Sequence, residues 1–150
     1  PQIEQAPDIV IMEGWCWGVP PQGEKALQLP VNALESNKDP DQIWRQYINQ
    51  QLKQKYQPLY QLMDVWLMLK APSFACVYNW RLEQEIKLKA GLDTDKQTKV
   101  MTNDQLRGFI QHFQRLTEHG LACLPEKMDL VYELDEKRNI INCQQNSSFF

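Results

Sequence analysis

Near the start of the chain four consecutive apolar residues, Ile9-Val10-Ile11-Met12, stand between Pro7-Asp8 and Glu13-Gly14. A continuous apolar run bounded in this way predicts a strand buried on both faces, as in a parallel sheet, over 8–13. The segment after it, Trp15 to Asn37, is rich in Pro, Gly and Asn and reads as a long connecting loop. Loops of that length are unusual in compact domains and point to function rather than linkage. A helix is predicted to start at Asp39-Pro40-Asp41-Gln42. There Asp39 can cap, Pro40 suits the first helical position and Gln42 can complete a capping box. Ile43, Trp44, Tyr47, Ile48 and Leu52 give this helix an apolar stripe, and Tyr56-Gln57-Pro58 interrupts it.

A second apolar run, Val65-Trp66-Leu67-Met68-Leu69, lies between Asp64 and Ala71-Pro72. Periodicity does not separate a buried strand from a helix here, but the short length and the flanking proline favour a strand over 65–70. From Ser73 the pattern turns helical, with Val77, Trp80, Ile86 and Leu88 partly in phase until Gly91 ends it. The stretch from Asp93 to Val100 is polar and basic and reads as a loop. Thr102-Asn103-Asp104-Gln105 opens a third helix, whose face is Leu106, Phe109, Ile110, Phe113, Leu116 and Thr117, with Gly120 near its end. A third strand is predicted over 129–134, followed by a short Asn139-Ile140-Ile141 piece and a polar tail from Gln144. Strands separated by helices make this an α/β chain with a parallel sheet.

A chain of 150 residues suffices for one domain with a real core. Its net charge is −3, with acids and bases interspersed. That argues against a general nucleic-acid or membrane-surface binder, which would carry a basic face. No apolar stretch approaches the roughly 20 residues needed to span a bilayer, and no basic-then-apolar leader opens the chain. Cys16, Cys76, Cys123 and Cys143 are widely spaced, without a C-x-x-C pair. The expectation is therefore reduced thiols in a cytoplasmic protein. The chain begins Pro1-Gln2-Ile3 and runs almost at once into an apolar strand, which is expected of a piece of a longer polypeptide.

Two features carry candidate chemistry. Glu13-Gly14 stands at the carboxyl end of the first predicted strand, where ligands bind in open α/β sheets. A carboxylate there can take a proton from a substrate hydroxyl or hold a magnesium ion through water. Arg81, in Tyr78-Asn79-Trp80-Arg81-Leu82-Glu83-Gln84-Glu85, offers a planar, permanently charged fork suited to phosphate oxygens. Each also has a plainer reading: Glu13 as a strand-end salt bridge, and Arg81 as a helix arginine paired with Glu85 at i+4. His112 and His119 are two helical turns apart, and two imidazoles so placed do not make a zinc site. The lysines at 87, 89, 96 and 99 give their region a basic lean, which is usually a solvated face. Trp15 and Trp17, in the loop, are better site candidates than Trp44, Trp66 or Trp80, which fall on periodic or buried runs.

Taken together, the segments Asp8-Ile9-Val10-Ile11-Met12-Glu13-Gly14-Trp15, Asn32-Ala33-Leu34-Glu35, Trp66-Leu67-Met68-Leu69-Lys70-Ala71-Pro72, Val77-Tyr78-Asn79-Trp80-Arg81-Leu82-Glu83-Gln84-Glu85, Met101-Thr102 and Leu134-Asp135-Glu136-Lys137-Arg138-Asn139 form a pattern. In their order and spacing the chain resembles the P-loop kinase superfamily that includes uridine kinase and phosphoribulokinase, and most closely its glycerate-kinase-like branch. The resemblance implies an ATP-dependent, magnesium-using phosphotransferase acting on a small hydroxyl-bearing metabolite such as glycerate. It implies Glu13 near the acceptor hydroxyl or the magnesium shell, Arg81 in the lid over the phosphates, and Trp15 and the loop to Glu35 shaping the acceptor pocket.

One departure is large. The family's phosphate loop, G-x-x-x-x-G-K-S/T, is absent, and Gly91-Leu92-Asp93-Thr94-Asp95-Lys96 lacks both the second glycine and the Lys-Ser/Thr ending. Without that loop of backbone N–H donors nothing cradles the β- and γ-phosphates. The resemblance places the missing strand between those at 8–13 and 65–70. The expectation is thus a single domain over 1–150 that is the C-terminal portion of a larger P-loop kinase domain, inactive alone. Its unpaired strand edges would offer a route to a homodimer. The alternative is a non-catalytic interaction or scaffold module that has kept the kinase shape.

Overall fold

The computed structural model describes residues 6–91 and 100–146. The polar, basic stretch predicted as a loop falls mostly at 92–99 and, with the ends of the chain, lies outside them. Strands β1 (Leu67–Lys70), β2 (Leu130–Leu134) and β3 (Ile140–Gln145) form one mixed sheet in that order. β1 and β2 run parallel, with Leu67 opposite Leu130 and Lys70 opposite Glu133. β3 runs antiparallel to β2. The start of the parallel pair is pinned from both sides. Asp129 Oδ2 accepts from Trp66 N at 2.7 Å, and Trp66 O accepts from Asp129 N at 3.0 Å and Leu130 N at 3.1 Å.

Parallel strands need a long crossover, and two helices supply it: α5 (Phe74–Ala90) and α6 (Asn103–Cys123). Ser73 stands at the N-cap of α5 and Gly91 at its C-cap, as the pattern predicts. Thr102 and Gln105 form a reciprocal capping box at the start of α6. That helix runs past Gly120 to Cys123, and Leu124-Pro125 turns the chain into a short 3-10 segment.

The 15–37 segment is less irregular than its composition implies, because it contains α1 (Glu24–Gln28) and α2 (Ala33–Lys38). The next helix, α3 (Ile43–Gln51), begins later than predicted: Gln42 is its N-cap in a left-handed conformation, so Pro40 lies outside it. Asp39 still caps, reaching forward so that its carboxylate accepts from Trp44 N at 2.8 Å and Arg45 N at 3.2 Å. Pro58 does not stop this helix. α3 widens into a π-helical turn, Leu52–Tyr56, and continues as α4 (Gln57–Tyr60), with Pro58 in its first turn. A proline lacks the N–H that a helix interior needs, and a first-turn position requires none.

The predicted strand over 8–13 is corrected by the structure. No sheet partner lies beside Asp8–Glu13 among the described residues, and Ile9, Val10 and Ile11 are 79%, 71% and 87% exposed. A strand needs a neighbour for its backbone hydrogen bonds, and none is there. The sheet has two parallel strands rather than three, and the short piece after Asn139 lengthens into antiparallel β3. β1 is likewise an edge, paired only with β2 among the described residues, and Leu67 and Leu69, more than half exposed, leave one of its faces uncovered.

The core joins Val19, Leu124, Met128 and Val131, with Cys16, Trp66, Met68, Leu116 and Cys123 packed around them. It thereby fixes the chain that follows Glu13-Gly14 against α6 and the sheet. Gly18 makes this approach possible: its φ is +89°, and a Cβ there would lie 2.9 Å from the Trp66 ring. Gly18→Ala should therefore lower stability by about 1–3 kcal/mol, read as a shifted denaturation midpoint. An unchanged midpoint would show that this turn relaxes freely.

Candidate functional site

Glu13 and Gly14 lead into a turn in which Trp17 N donates to Gly14 O at 3.1 Å and Val19 N to Cys16 O at 3.3 Å. Glu13 is exposed and has no hydrogen bond or ion pair with a described residue. Two residues on, Trp15 stacks on Phe113 of α6 with ring centroids 4.6 Å apart and planes at 7°. Phe113 meets Phe109, one helical turn earlier, at 5.3 Å. The Arg81 guanidinium carbon lies 5.8 Å from the Phe109 ring centroid, within cation–π range. A row of three rings along one face of α6 thus joins the turn after Glu13 to Arg81. Two residues of chain place the Cα of Glu13 no more than about 7 Å from that of Trp15.

Arg81 is also tied to its own helix. Its Nη2 donates to Glu85 Oε1 at 2.8 Å, and Nη1 to Gln84 Oε1. The Nε is buried without a partner among the described residues. Glu85 is buried, and its other oxygen accepts from Met101 N at 3.2 Å. The i,i+4 pairing that the spacing allows is therefore present. Arg81 holds α5 to the start of α6, and its side chain keeps 29% exposure.

Glu35 stands in a different setting, the centre of a polar clamp. Arg115 grips it with a two-pronged fork, Nε to Oε1 at 2.8 Å and Nη2 to Oε2 at 2.7 Å. Val31 N donates to Oε2 at 3.0 Å, and Arg45 Nη1 lies 3.6 Å away. The two arginines also hold the loop backbone: Arg115 donates to Ala26 O at 2.8 Å and Leu29 O at 2.7 Å, and Arg45 to Leu27 O at 2.6 Å. Asn49 closes the clamp by exchanging two hydrogen bonds with the Gln22 backbone, at 2.7 and 3.0 Å. Around these charges lies a cavity of about 50 Å³, room for a few waters. The structure thus makes Glu35 part of the architecture of the loop and sets Trp15 and Arg81 at the two ends of the aromatic row, with Glu13 two residues before Trp15.

Sequence reasoning passed over Arg115 and Arg45 and read Asp39 only as a helix cap; all three are more than 90% buried. The only signal for Arg115 is a charge among the buried positions Leu106, Ile110 and Thr117 of α6. Charged residues are almost never fully buried unless paired, so such a position asks for a carboxylate partner without naming it.

Burial works to raise the Glu35 pKa, but the Arg115 hydrogen bonds, the Val31 N–H and the charges of Arg115 and Arg45 together hold it below its ordinary 4.5. A depressed folded-state pKa gives stability that is present above the ordinary value and lost as pH falls through the folded one. Wild type should lose denaturant resistance as pH falls below about 4.5, and Glu35→Gln should flatten that acid limb. An equally steep limb in the variant would remove Glu35 from this role.

Elsewhere, His119 Nε2 lies 3.8 Å from Cys123 Sγ. Burial lowers the histidine's pKa and raises the thiol's, so neither is activated. No cluster of three metal-ligating side chains occurs among the described residues, and no helix there is long and apolar enough to cross a membrane.

No protein-family profile matches the chain. It is 30% identical over 122 residues to an uncharacterized kinase, mug58, of Schizosaccharomyces pombe, covering 81% of this chain and 41% of that protein. It is 25% identical over 145 residues to the chloroplastic D-glycerate 3-kinase of Arabidopsis thaliana, covering 94% of this chain and 29% of the relative. The solved structure of D-glycerate 3-kinase from Cryptococcus neoformans var. grubii matches at a TM-score of 0.69 and 26% identity, over 94% of this chain and 51% of that one. A structure of the YGR205w protein shares the fold at a TM-score of 0.54 and 19% identity, over 87% of this chain and 45% of that one. The chain spans less than half the length of the curated relatives it matches. It is a relative of the glycerate-kinase-like P-loop kinases and carries part of their α/β fold.

Proposed function

We propose that the full-length protein is an ATP-dependent kinase that phosphorylates a hydroxyl of a small metabolite such as glycerate. Residues 1–150 are its acceptor and lid portion. The observation that carries this reading is the likeness to a D-glycerate 3-kinase over 94% of the chain, at 26% identity and a TM-score of 0.69.

In this reading the acceptor hydroxyl lies beside Glu13. Its oxygen attacks the γ-phosphorus, the bond from that phosphorus to the bridging oxygen of ADP breaks, and the hydroxyl proton passes to the Glu13 carboxylate. Glu13 suits the task because it is exposed and has no partner among the described residues. The Arg81 fork spreads its charge over the phosphoryl oxygens. To do so it must exchange its contacts with the exposed Gln84 and the buried Glu85 for the phosphate. Trp15, stacked on Phe113, holds the turn that presents Glu13. Magnesium, when bound, neutralises phosphate charge. A carboxylate without a partner among the described residues fits it, since this ion is usually held by one or two carboxylates together with substrate phosphates, and Glu13 would hold it through water.

The 150 residues contain no phosphate loop. The open edge of β1 and the apolar stretch at 9–12, both without a further strand partner among the described residues, support a missing central strand that the rest of the polypeptide supplies. Alone, the chain should transfer no phosphate, and its open edges offer a route to self-pairing. The function is tested by presenting the full-length protein with ATP, magnesium and a panel of hydroxyl acids and polyols, following ADP release. Acceptor-dependent release is expected; release that ignores every acceptor contradicts the reading.

A further inference from the structure

A second cavity, of about 540 Å³, opens directly behind the turn after Glu13. That size falls in the range of small-molecule sites. Trp17, Tyr47, Tyr56 and Tyr60 wall it, Gly14 and Cys16 also line it, and among the described residues no charged side chain borders it. The aromatic walls are set in fixed relation: Trp17 meets Tyr60 edge-on at 5.1 Å and Tyr56 at 6.2 Å. Tyr60 in turn meets Trp66 at 5.6 Å.

A further observation points to a ligand. The wall includes the π-helical turn Leu52–Tyr56, with Leu52 and Tyr56 both at the cavity. Such turns are rare, and they appear frequently at functional sites. The Tyr60 hydroxyl is buried beside the Gly18 backbone, so this wall presents its ring rather than a polar group. Burial also raises the pKa of Tyr60 and of Cys16, which keeps both neutral. A charged molecule would lose its hydration here without gaining a counter-charge. A flat ring would gain offset or edge contacts with four aromatic side chains.

We propose that this cavity is a binding site for a small, uncharged molecule carrying a flat ring, separate from the polar clamp around Glu35. The inference does not depend on kinase activity. A ligand seated here would lie against Gly14 and Trp17, on either side of Trp15, so occupancy bears on how the turn after Glu13 is held.

The test is a titration of the full-length protein with 5-fluoroindole, followed by fluorine NMR, with 5-fluoroindole-2-carboxylate as the charged counterpart. Saturable binding at roughly 0.1–1 mM is expected, the strength an unoptimised fragment reaches, with the carboxylate at least tenfold weaker. Tyr56→Ala removes a wall and Ile48→Trp fills space from the rim. Both positions are about 40% exposed, so the fold should tolerate the changes, and circular dichroism checks that it does. Each should weaken binding about tenfold or more. Three results would overturn the proposal: no saturation in folded protein, as when the rest of the polypeptide fills the cavity; equal binding of the carboxylate; or binding retained by both folded variants.

Discussion

Glu13→Gln in the full-length protein should lower kcat by about 10²–10⁴ while leaving KM within a few-fold, because it removes a proton acceptor but little ground-state contact. The substitution is isosteric, and Glu13 is exposed without a partner among the described residues. Its denaturation midpoint should therefore match wild type. That combination separates a chemical role from a structural one. A strand-end salt bridge, the plainer reading of the residue, would show the opposite pattern: intact turnover and a small loss of stability. If kcat stays within about threefold of wild type under saturating ATP and acceptor, Glu13 is not the base and the acceptor must lie elsewhere.

Arg115→Ala should be the most destabilising single change in this part of the molecule, at about 3–5 kcal/mol, the usual cost of removing one partner of a buried pair. The magnitude follows from what the arginine leaves behind. Glu35 would keep only the Val31 N–H and the more distant Arg45, and the carbonyls of Ala26 and Leu29 would lose their donor. The loop from Gln22 to Glu35 is held by these groups more than by apolar burial. Leu27 is its one fully buried hydrophobic residue, whereas Leu29 is 75% exposed. Arg115→Lys should recover little, because an ammonium cannot reproduce the two-pronged geometry. Chemical denaturation of wild type and both variants measures this. A loss below about 1 kcal/mol for Arg115→Ala would mean that the clamp is solvated in solution and the loop is held by something else.

How much was legible in the sequence depended on whether the cause was local. The capping box at Thr102-Gln105, the cap and stop at Ser73 and Gly91, and the short apolar runs that became β1 and β2 were all readable, because each is decided within a few residues. The stretch at 8–13 has the same composition as those strands yet forms none. Strand formation needs a partner, and the partner implied by the family pattern is not in these 150 residues. β3 was seen only as Asn139–Ile141 because an edge strand with both faces exposed has no apolar alternation to mark it. The continuation through Pro58 was missed because a π-helical turn leaves no hydrophobic period of its own.

The candidate site divides in the same way. Glu13 and Arg81 were visible as residue types at plausible strand and helix ends, but the ring row that links their neighbourhoods was not. Phe109 and Phe113 read as ordinary core positions until Trp15 is found stacked on one and Arg81 against the other. Glu35 was singled out by family pattern, and the structure gives it Arg115 as a partner 80 positions away. Spacing along the chain cannot reveal a pairing at that separation.

The central claim is that these residues supply the acceptor side of a kinase whose nucleotide cradle lies in the rest of the polypeptide. Calorimetric titration of ATP with magnesium into the 150-residue chain and into the full-length protein tests it most directly. Saturable binding is expected in the full-length protein, and no resolved isotherm at comparable concentrations in the chain alone. Micromolar ATP affinity in the isolated chain would contradict the account.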